Sequence, residues 1–447
     1  MKRLGKVSFA PVCVALLLNV MEVSPLRGDP TDTSPAPKLA RPTPEQVAWQ
    51  DMEIGMFIHF APNTWQDEEY DNRSIPPAKI HPTKLDTDQW VRVAEQMGAK
   101  YIIFVAKHVG GFCMWQTETT TYGIKETPWR GGKGDVLRDL SASCRKRGIK
   151  LGVYLSPRDD TLGANTGGKC ATPEAQAAYD TIYRRQLTEI LSRYGEMVEV
   201  WFDGGQVIEV GDILKKYAPK AMVFQGKYAT IRWVGNEDGF APYPAWNTVS
   251  DPVAIAGGGT AQHGDPNGTV WLPLECDARI RSTWFWNTRN AHTLKSVEQL
   301  MDMYYRSVGH GAVLLLNHTP DTTGLIPEAD AKRAAEFGAE IKRRFGKSLA
   351  ETKGEGPIIE LPLRAPATID HVVTMEDIAY GERVRHYVIE AKTSDGWRPL
   401  CEGTAIGHKK IDRFDPVEVP AVRWRCLHAV GRPILRTLAV YNTTHRP

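Results

Sequence analysis

Asp203 closes the apolar run Val198-Glu-Val-Trp-Phe202 and is followed at once by Gly204-Gly205. A carboxylate set against hydrophobic chain is costly unless it is used; its plainer alternative is a helix cap. Other apolar runs end in the same manner. His59 lies at the end of Gly55-Met-Phe-Ile-His-Phe60, Lys107-His108 follow Tyr101–Ala106, Tyr154 sits in Lys150–Leu155, and Asn317-His318 close Ala312–Asn317. Taken singly, His59 and Tyr154 read as core residues and Lys107-His108 as surface polarity. Taken together, they form a set of titratable or hydrogen-bonding groups beside aromatic residues. Trp201 shares a strand face with Asp203, being two residues away. Two more carboxyl groups stand among aromatics: Glu237 in Arg232-Trp-Val-Gly-Asn-Glu237 and Glu275 in Trp271-Leu-Pro-Leu-Glu-Cys-Asp277. Cleaving a glycosidic bond needs one carboxyl group to attack or to activate water, and another to protonate the departing oxygen. Asp203 with either glutamate supplies such a pair, and each glutamate alone reads equally as a structural partner of an arginine.

These groups need a frame that gathers strand ends. Short β-rich runs at 55–60, 101–106, 150–155, 198–203, 221–225 and 312–317 alternate with helical spacing at 87–97, 135–147, 173–194, 210–217 and 294–308. Apolar runs of this kind are buried on both faces, as in a parallel sheet. The repeat predicts an α/β fold, a (β/α)8 barrel or a doubly wound sheet. No nucleotide-binding glycine motif follows the first run, which favours the barrel, whose reacting groups stand at the C-terminal ends of its strands. Gly131-Gly-Lys-Gly134 reads as the entry to a helix at Asp135. From about Glu351 the helical periods stop and short alternating strands predict a β-sandwich.

The chain has 447 residues and a formal net charge of +2, which gives no support to a nucleic-acid partner. Lys2, Arg3 and Lys6 followed by a mostly apolar stretch to Met21 predict a secretory leader over 1–28. Export to the periplasm or medium is then expected, with no membrane-spanning partner segment. Five prolines at 29–44 predict a linker over 29–45, leaving the barrel at 46–347 and the sandwich at 348–447. Beyond the leader lie six cysteines, without metal-ligand spacing and with no particular bridge indicated.

The segments Gly55–Phe60, Ala106–His108 with Gly111-Phe-Cys-Met-Trp115, Gly132–Val136, Val153–Pro157, Val200-Trp-Phe-Asp-Gly204, Arg232–Glu237 and Leu314–Asn317 stand in an order that resembles the α-L-fucosidases of glycoside hydrolase family 29. Ile378–Val384 and Gly403–Gly407 are similar to that family's sandwich domain. The resemblance implies a retaining exo-glycosidase acting on terminal α-L-fucosyl residues, with no cofactor or metal. It implies Asp203 as nucleophile and Glu237 as acid/base, with Glu275 as the alternative. Sugar contacts are implied for His59, Glu69, Tyr70, His108, Trp115, Tyr154 and Trp201. Arg279 or Arg281 is expected beside the carboxylates, keeping Asp203 ionised. The chain departs from the family where Lys107-His108 is followed by Val109-Gly110 rather than His-Asp, and where Tyr70 replaces a tryptophan. One hydroxyl contact is thereby lost. A same-fold enzyme for another sugar such as a galactoside, or a binding relative without catalysis, stays open on the sequence. A fucosylated glycan is the expected partner; the oligomeric state is not legible.

Overall fold

The computed structural model describes residues 39–251 and 261–444. The expected leader and most of the expected linker lie outside them. The linker's final residues are not extended: helix α1 (Pro44–Gln50) starts within it. Pro44 takes the first helical position, and Thr43 and Gln46 close a reciprocal capping box.

Eight parallel strands follow: β1 (Ile54–Ile58), β2 (Tyr101–Lys107), β3 (Lys150–Leu155), β4 (Met197–Trp201), β5 (Met222–Phe224), β6 (Arg232–Trp233), β7 (Leu274–Arg279) and β8 (Val313–His318). They stand in the order β5-β4-β3-β2-β1-β8-β7-β6. A bridge between Phe224 and Ile231 closes the ring, and Thr230 N donates to Val223 O there at 2.9 Å. Helices α2 (Thr87–Met97), α3 (Val136–Arg147), α4 (Pro173–Arg193) and α5 (Gly211–Tyr217) each precede a strand. Helices α6 (Val297–Arg306) and α7 (Glu328–Phe345) flank β8. Asp86, Asp135, Thr172 and Ser296 cap α2, α3, α4 and α6 by accepting a backbone N–H three residues on. The expected β/α alternation fails after β5. Residues 225–231 join β5 to β6 without a helix, and a short antiparallel pair, Thr248–Val249 with Val270–Trp271, stands between β6 and β7.

Side-chain alternation divides the strands into two cores. Phe57, Tyr101, Ile103, Val105, Tyr154, Trp201, Phe224, Val313 and Leu315 cluster inside the barrel. Met56, Ile58, Ile102, Phe104, Leu314 and Leu316 face outward into the larger core under the helices. Gly55 pairs with Tyr101 across the β1–β2 ladder. A Cβ at Gly55 would lie 2.3 Å from Tyr101 Cζ, so only glycine lets that ring cross the interior. Helix α1 lies at the N-terminal end. Its Trp49 Nε1 donates to Glu199 Oε2 at 2.9 Å, and Gln46 Nε2 donates to Thr230 O at 2.7 Å.

After α7 come β9 (Ala350–Glu355), β10 (Ile358–Glu376), β11 (Val384–Thr393), β12 (Gly396–Gly403), β13 (Lys410–Ala429) and β14 (Ile434–Tyr441). They form one antiparallel ladder in the order β9-β14-β10-β13-β11-β12. Register breaks at Pro362/Ala367 and Ile369/His371 interrupt the long β10–β13 pair, and both halves of β10 bury residues in a single core with Tyr387 and Trp424. This is the sandwich expected from the sequence, built from six strands of which two, β10 and β13, are long. It adheres to the barrel through Asn247, whose Nδ2 donates to Glu382 Oε1 at 2.7 Å, and Tyr243, whose hydroxyl donates to Ala405 O at 3.0 Å. The six cysteines in the described residues are free thiols.

Lys107 ends β2 but does not face the barrel mouth. It is wholly buried, donating to Asp159 Oδ2 at 2.9 Å and Gln186 Oε1 at 3.0 Å. Asp159 Oδ1 in turn accepts from the N–H groups of Thr161 and Leu162. The pair thus pins the loop after β3 to β2 and α4. Lys107→Met should lower stability by about 3–5 kcal/mol, because Asp159 is left as an uncompensated buried charge. Lys107→Met with Asp159→Asn should lose less than Lys107→Met alone, measured by urea unfolding.

Candidate active site

At the C-terminal end of the barrel the inward faces of the strands open into a cavity of about 200 Å3. β1 contributes Phe57 and, just past its end, His59. The segment after β2 brings His108 and Val109, β3 brings Tyr154, and the loop after it Arg158 and Thr166. β4 brings Trp201 and Asp203, and Glu237 follows β6. Asp277 comes from β7 and Trp284 from the loop beyond it, while Glu69 and Tyr70 come from the loop after β1. A more apolar cavity of about 390 Å3 lies at the opposite end, lined by α1 and the starts of β3 and β4; it holds none of these groups.

Asp203 stands two residues past β4, half-buried. Tyr154 donates its hydroxyl to Asp203 Oδ2 at 3.0 Å, and the phenol ring stacks on Trp201 at 5.3 Å. Burial raises the Asp203 carboxyl above the usual range; the Tyr154 bond opposes that rise, Glu237 adds to it and Arg158 opposes it. The cation that bears on Asp203 is therefore Arg158, rather than the expected Arg279 or Arg281. Arg158 is held by Asp160 through Nε at 2.8 Å and Nη2 at 3.1 Å. Glu237 is exposed at the lip of the cavity. Its Oε2 meets Trp284 Nε1 at 3.2 Å and Arg279 Nη2 at 3.4 Å, which leaves Oε1 without either partner.

His59 is buried, and its Nδ1 lies 2.8 Å from Asn317 Oδ1. Asn317 is oriented by its own Nδ2, which donates to Trp284 O at 2.9 Å. Nδ1 of His59 is thereby the donor. Burial, with His108 adding, holds the ring well below the ordinary histidine range, so it is neutral and its Nε2 is left as an acceptor. His108 is also neutral, pushed down to about 4 by burial. Glu69 accepts from Trp284 N at 2.9 Å, and burial raises its carboxyl. Tyr70 is mostly exposed on the rim. Val109 gives the wall an apolar patch. Gly110 beside it leaves room for Asp71: a Cβ on Gly110 would stand 2.5 Å from Asp71 Cβ.

Three expected residues lie elsewhere. Trp115 is buried behind β2, where Nε1 donates to Glu189 Oε2 at 3.1 Å. The chain has doubled back by then, with Met114 N donating to Ala106 O. Arg281 points away from the cavity into a buried pair with Asp330, Nη2 to Oδ1 at 2.7 Å. Glu275 lies inside the barrel beneath the cavity, fully buried. It accepts from Trp201 Nε1 at 2.8 Å and Tyr101 Oη at 3.0 Å, so it cannot reach a departing oxygen. Its neighbour Glu199 is raised well above the carboxylate range by burial and then by Glu275. Glu199 Oε1 meets no hydrogen-bond partner. Trp284, Asp277 and Arg158 are cavity residues the sequence reading did not include. The cluster Trp284-Phe-Trp286 directly past the end of β7 was the available signal for the first.

Glu275→Ala should lower the unfolding midpoint, because Tyr101 and Trp201 lose a buried acceptor at roughly 1–3 kcal/mol each, and azide should restore no activity. Glu199→Gln, which mimics the protonated acid, should change stability by less than about 1 kcal/mol. Thermal denaturation and an azide titration check both.

A family model described as alpha-L-fucosidase matches residues 66–344. Alpha-L-fucosidase 1 of Arabidopsis thaliana is 32% identical over 91% of this chain and 88% of its own length. A glycoside hydrolase family 29 structure from an unknown rumen bacterium superposes with a TM-score of 0.82 at 33% identity, covering 92% of this chain and 79% of that one. A Ruminococcus gnavus family 29 fucosidase solved in complex with fucose gives 0.81 at 29% identity, covering 92% and 97%. Matched in its barrel, in its sandwich and over nearly its whole described length, the chain belongs to the α-L-fucosidase family, glycoside hydrolase family 29.

Proposed function

We propose that the protein hydrolyses terminal α-L-fucosyl residues from glycans or glycoconjugates, with Asp203 as nucleophile and Glu237 as acid/base. The observation that carries this reading is that the two carboxyl groups line one cavity at the barrel mouth, in a member of the fucosidase family. An Asp203 oxygen bonds to the anomeric carbon as the glycosidic C–O bond breaks, and Glu237 gives its proton to the departing oxygen. Water then gives a proton to Glu237 and attacks the anomeric carbon, and Asp203 leaves as a carboxylate. Because Oε2 of Glu237 is engaged by Trp284 and Arg279, the transferred proton belongs on Oε1. Arg279 then stabilises the carboxylate left behind. Tyr154 holds one oxygen of Asp203 by its hydroxyl, leaving the other for attack. His59 and Glu69 supply acceptors for ring hydroxyls, His108 and Tyr70 stand at the wall and rim, and Val109 with the aromatic rings suits the C6 methyl of fucose.

Asp203→Asn should cut kcat for an aryl α-L-fucoside by roughly a thousandfold or more, about 4 kcal/mol in barrier, with an unchanged melting temperature. Glu237→Ala should be rescued by azide; rescue in Glu275→Ala instead would move the proton donor. Attack requires ionised Asp203, and burial raises that group. Activity should therefore fall as pH drops through a value above the usual carboxylate range, read as the acid limb of kcat/KM. A galactoside should be a poor substrate in the same nitrophenyl panel. We further infer export behind a leader over residues 1–28, supported by the basic start and apolar run; N-terminal sequencing of the secreted protein would read Met1 if this is wrong.

A further inference from the structure

Strand β7 turns Glu275, Asp277 and Arg279 to one side, two residues apart. Each serves a different level. Glu275 lies below the cavity with Glu199, Tyr101 and Trp201, and Arg279 reaches Glu237 at the lip. Asp277 lies between them. It is buried, yet it lines the cavity that holds Asp203 and Glu237. Its one side-chain hydrogen-bond partner among the described residues is Trp233, whose Nε1 donates to Oδ1 at 2.7 Å. Among the described residues Oδ2 has no side-chain donor, and a mechanism of two carboxyl groups leaves it without a task.

We propose that Asp277 holds the substrate sugar directly, as a neutral carboxyl group whose Oδ2–H donates to a ring hydroxyl. This rests on the glycosidase reading above. An ionised Asp277 would share a small cavity with Asp203, Glu237 and Glu69, with Glu275 two residues away on its own strand and with Arg279 already engaged by Glu237. Burial, then Glu275 and Glu237, hold the group well above the usual carboxylate range, with only the Trp233 bond and its own backbone opposing. Protonated, it satisfies every requirement at once: Oδ1 accepts from Trp233, and Oδ2 donates into a cavity whose other walls are rich in acceptors. His59 Nε2 and Glu69 accept from the sugar; Asp277 supplies a donor.

The test compares Asp277→Asn with Asp277→Ala. The amide keeps an acceptor for Trp233 and an N–H donor for the sugar, without charge; alanine removes both. Turnover of an aryl α-L-fucoside and calorimetric binding of free fucose are measured for each, with melting temperatures. The Asn variant should stay within about threefold of wild type in fucose Kd and KM. The Ala variant should weaken both by roughly tenfold to a hundredfold. Loss in the Asn variant equal to that in Ala would mean that the negative charge is used, and fucose binding by a folded Ala variant as tight as wild type would mean that no contact exists. Either result overturns the proposal. If Asp277→Ala does not fold, Asp277→Leu, which fills the space without a polar atom, takes its place and the same two outcomes are read. A wild-type protein that fails to cleave the fucoside would overturn the fucosidase reading, whereas fucose binding reads Asp277 independently of turnover.

Discussion

The pocket is held together by one residue, Trp284. Its backbone N–H binds Glu69, its carbonyl orients Asn317 and through it His59, its indole N–H meets Glu237, and Arg279 lies over its ring at 5.3 Å. Three strands and two loops thus refer their polar groups to a single residue in the loop beyond β7. The arrangement fixes a tautomer as well as a position. Because the asparagine amide can satisfy the tryptophan carbonyl only through Nδ2, the histidine must donate at Nδ1 and present a lone pair to the cavity. A neutral, preoriented acceptor in a buried place spares the site any reorganisation when a hydroxyl arrives.

Beneath that layer the barrel interior is unusual for its polarity. Hydrophobic side chains fill most of it, but Glu199 and Glu275 lie among them, with Trp49, Tyr101 and Trp201 as donors. Each donor is a large aromatic, and one of them, Trp201, also lines the cavity above. Trp201 in turn stacks on Phe224 at 3.8 Å and on Tyr154, and Tyr154 holds Asp203. The position of Asp203 is therefore tied, ring by ring, to the buried carboxyl pair inside the barrel.

Much of this was legible in the chain. The apolar runs located six of the eight strands, and α2 and β3 match their expected bounds. β6 was invisible because it has two residues and no periodicity. β7 was hidden because its inward face is charged where an interior strand is expected to be apolar. That same face misled the reading of the site. Glu275 looked like a candidate acid because a carboxyl near aromatics has no depth in a sequence, and depth alone separates it from Asp277. Lys107, Trp115 and Arg281 illustrate a related limit. Lys107 ends β2, Trp115 follows in the segment after it and Arg281 lies just past β7, and each is turned away by a local reversal or by a buried partner such as Asp159, Glu189 or Asp330. Composition and spacing identify which chemistry is available; the direction of a side chain past the end of a strand is set by tertiary contacts.

The missing helix between β5 and β6 has a bearing on how such an enzyme can vary. Asp203 follows a five-residue strand paired on both sides, whereas Glu237 follows a two-residue strand bonded mainly to β7 and seamed to β5 by a single bridge. Asp203 belongs to the frame around β4, and Glu237 is fixed to β7, with Val234 N donating to Glu275 O at 3.0 Å and Asp238 bridging Ala278. The two carboxyl groups are thus placed by different strands, so the β5–β6 connection can change without disturbing the pairing that holds either one.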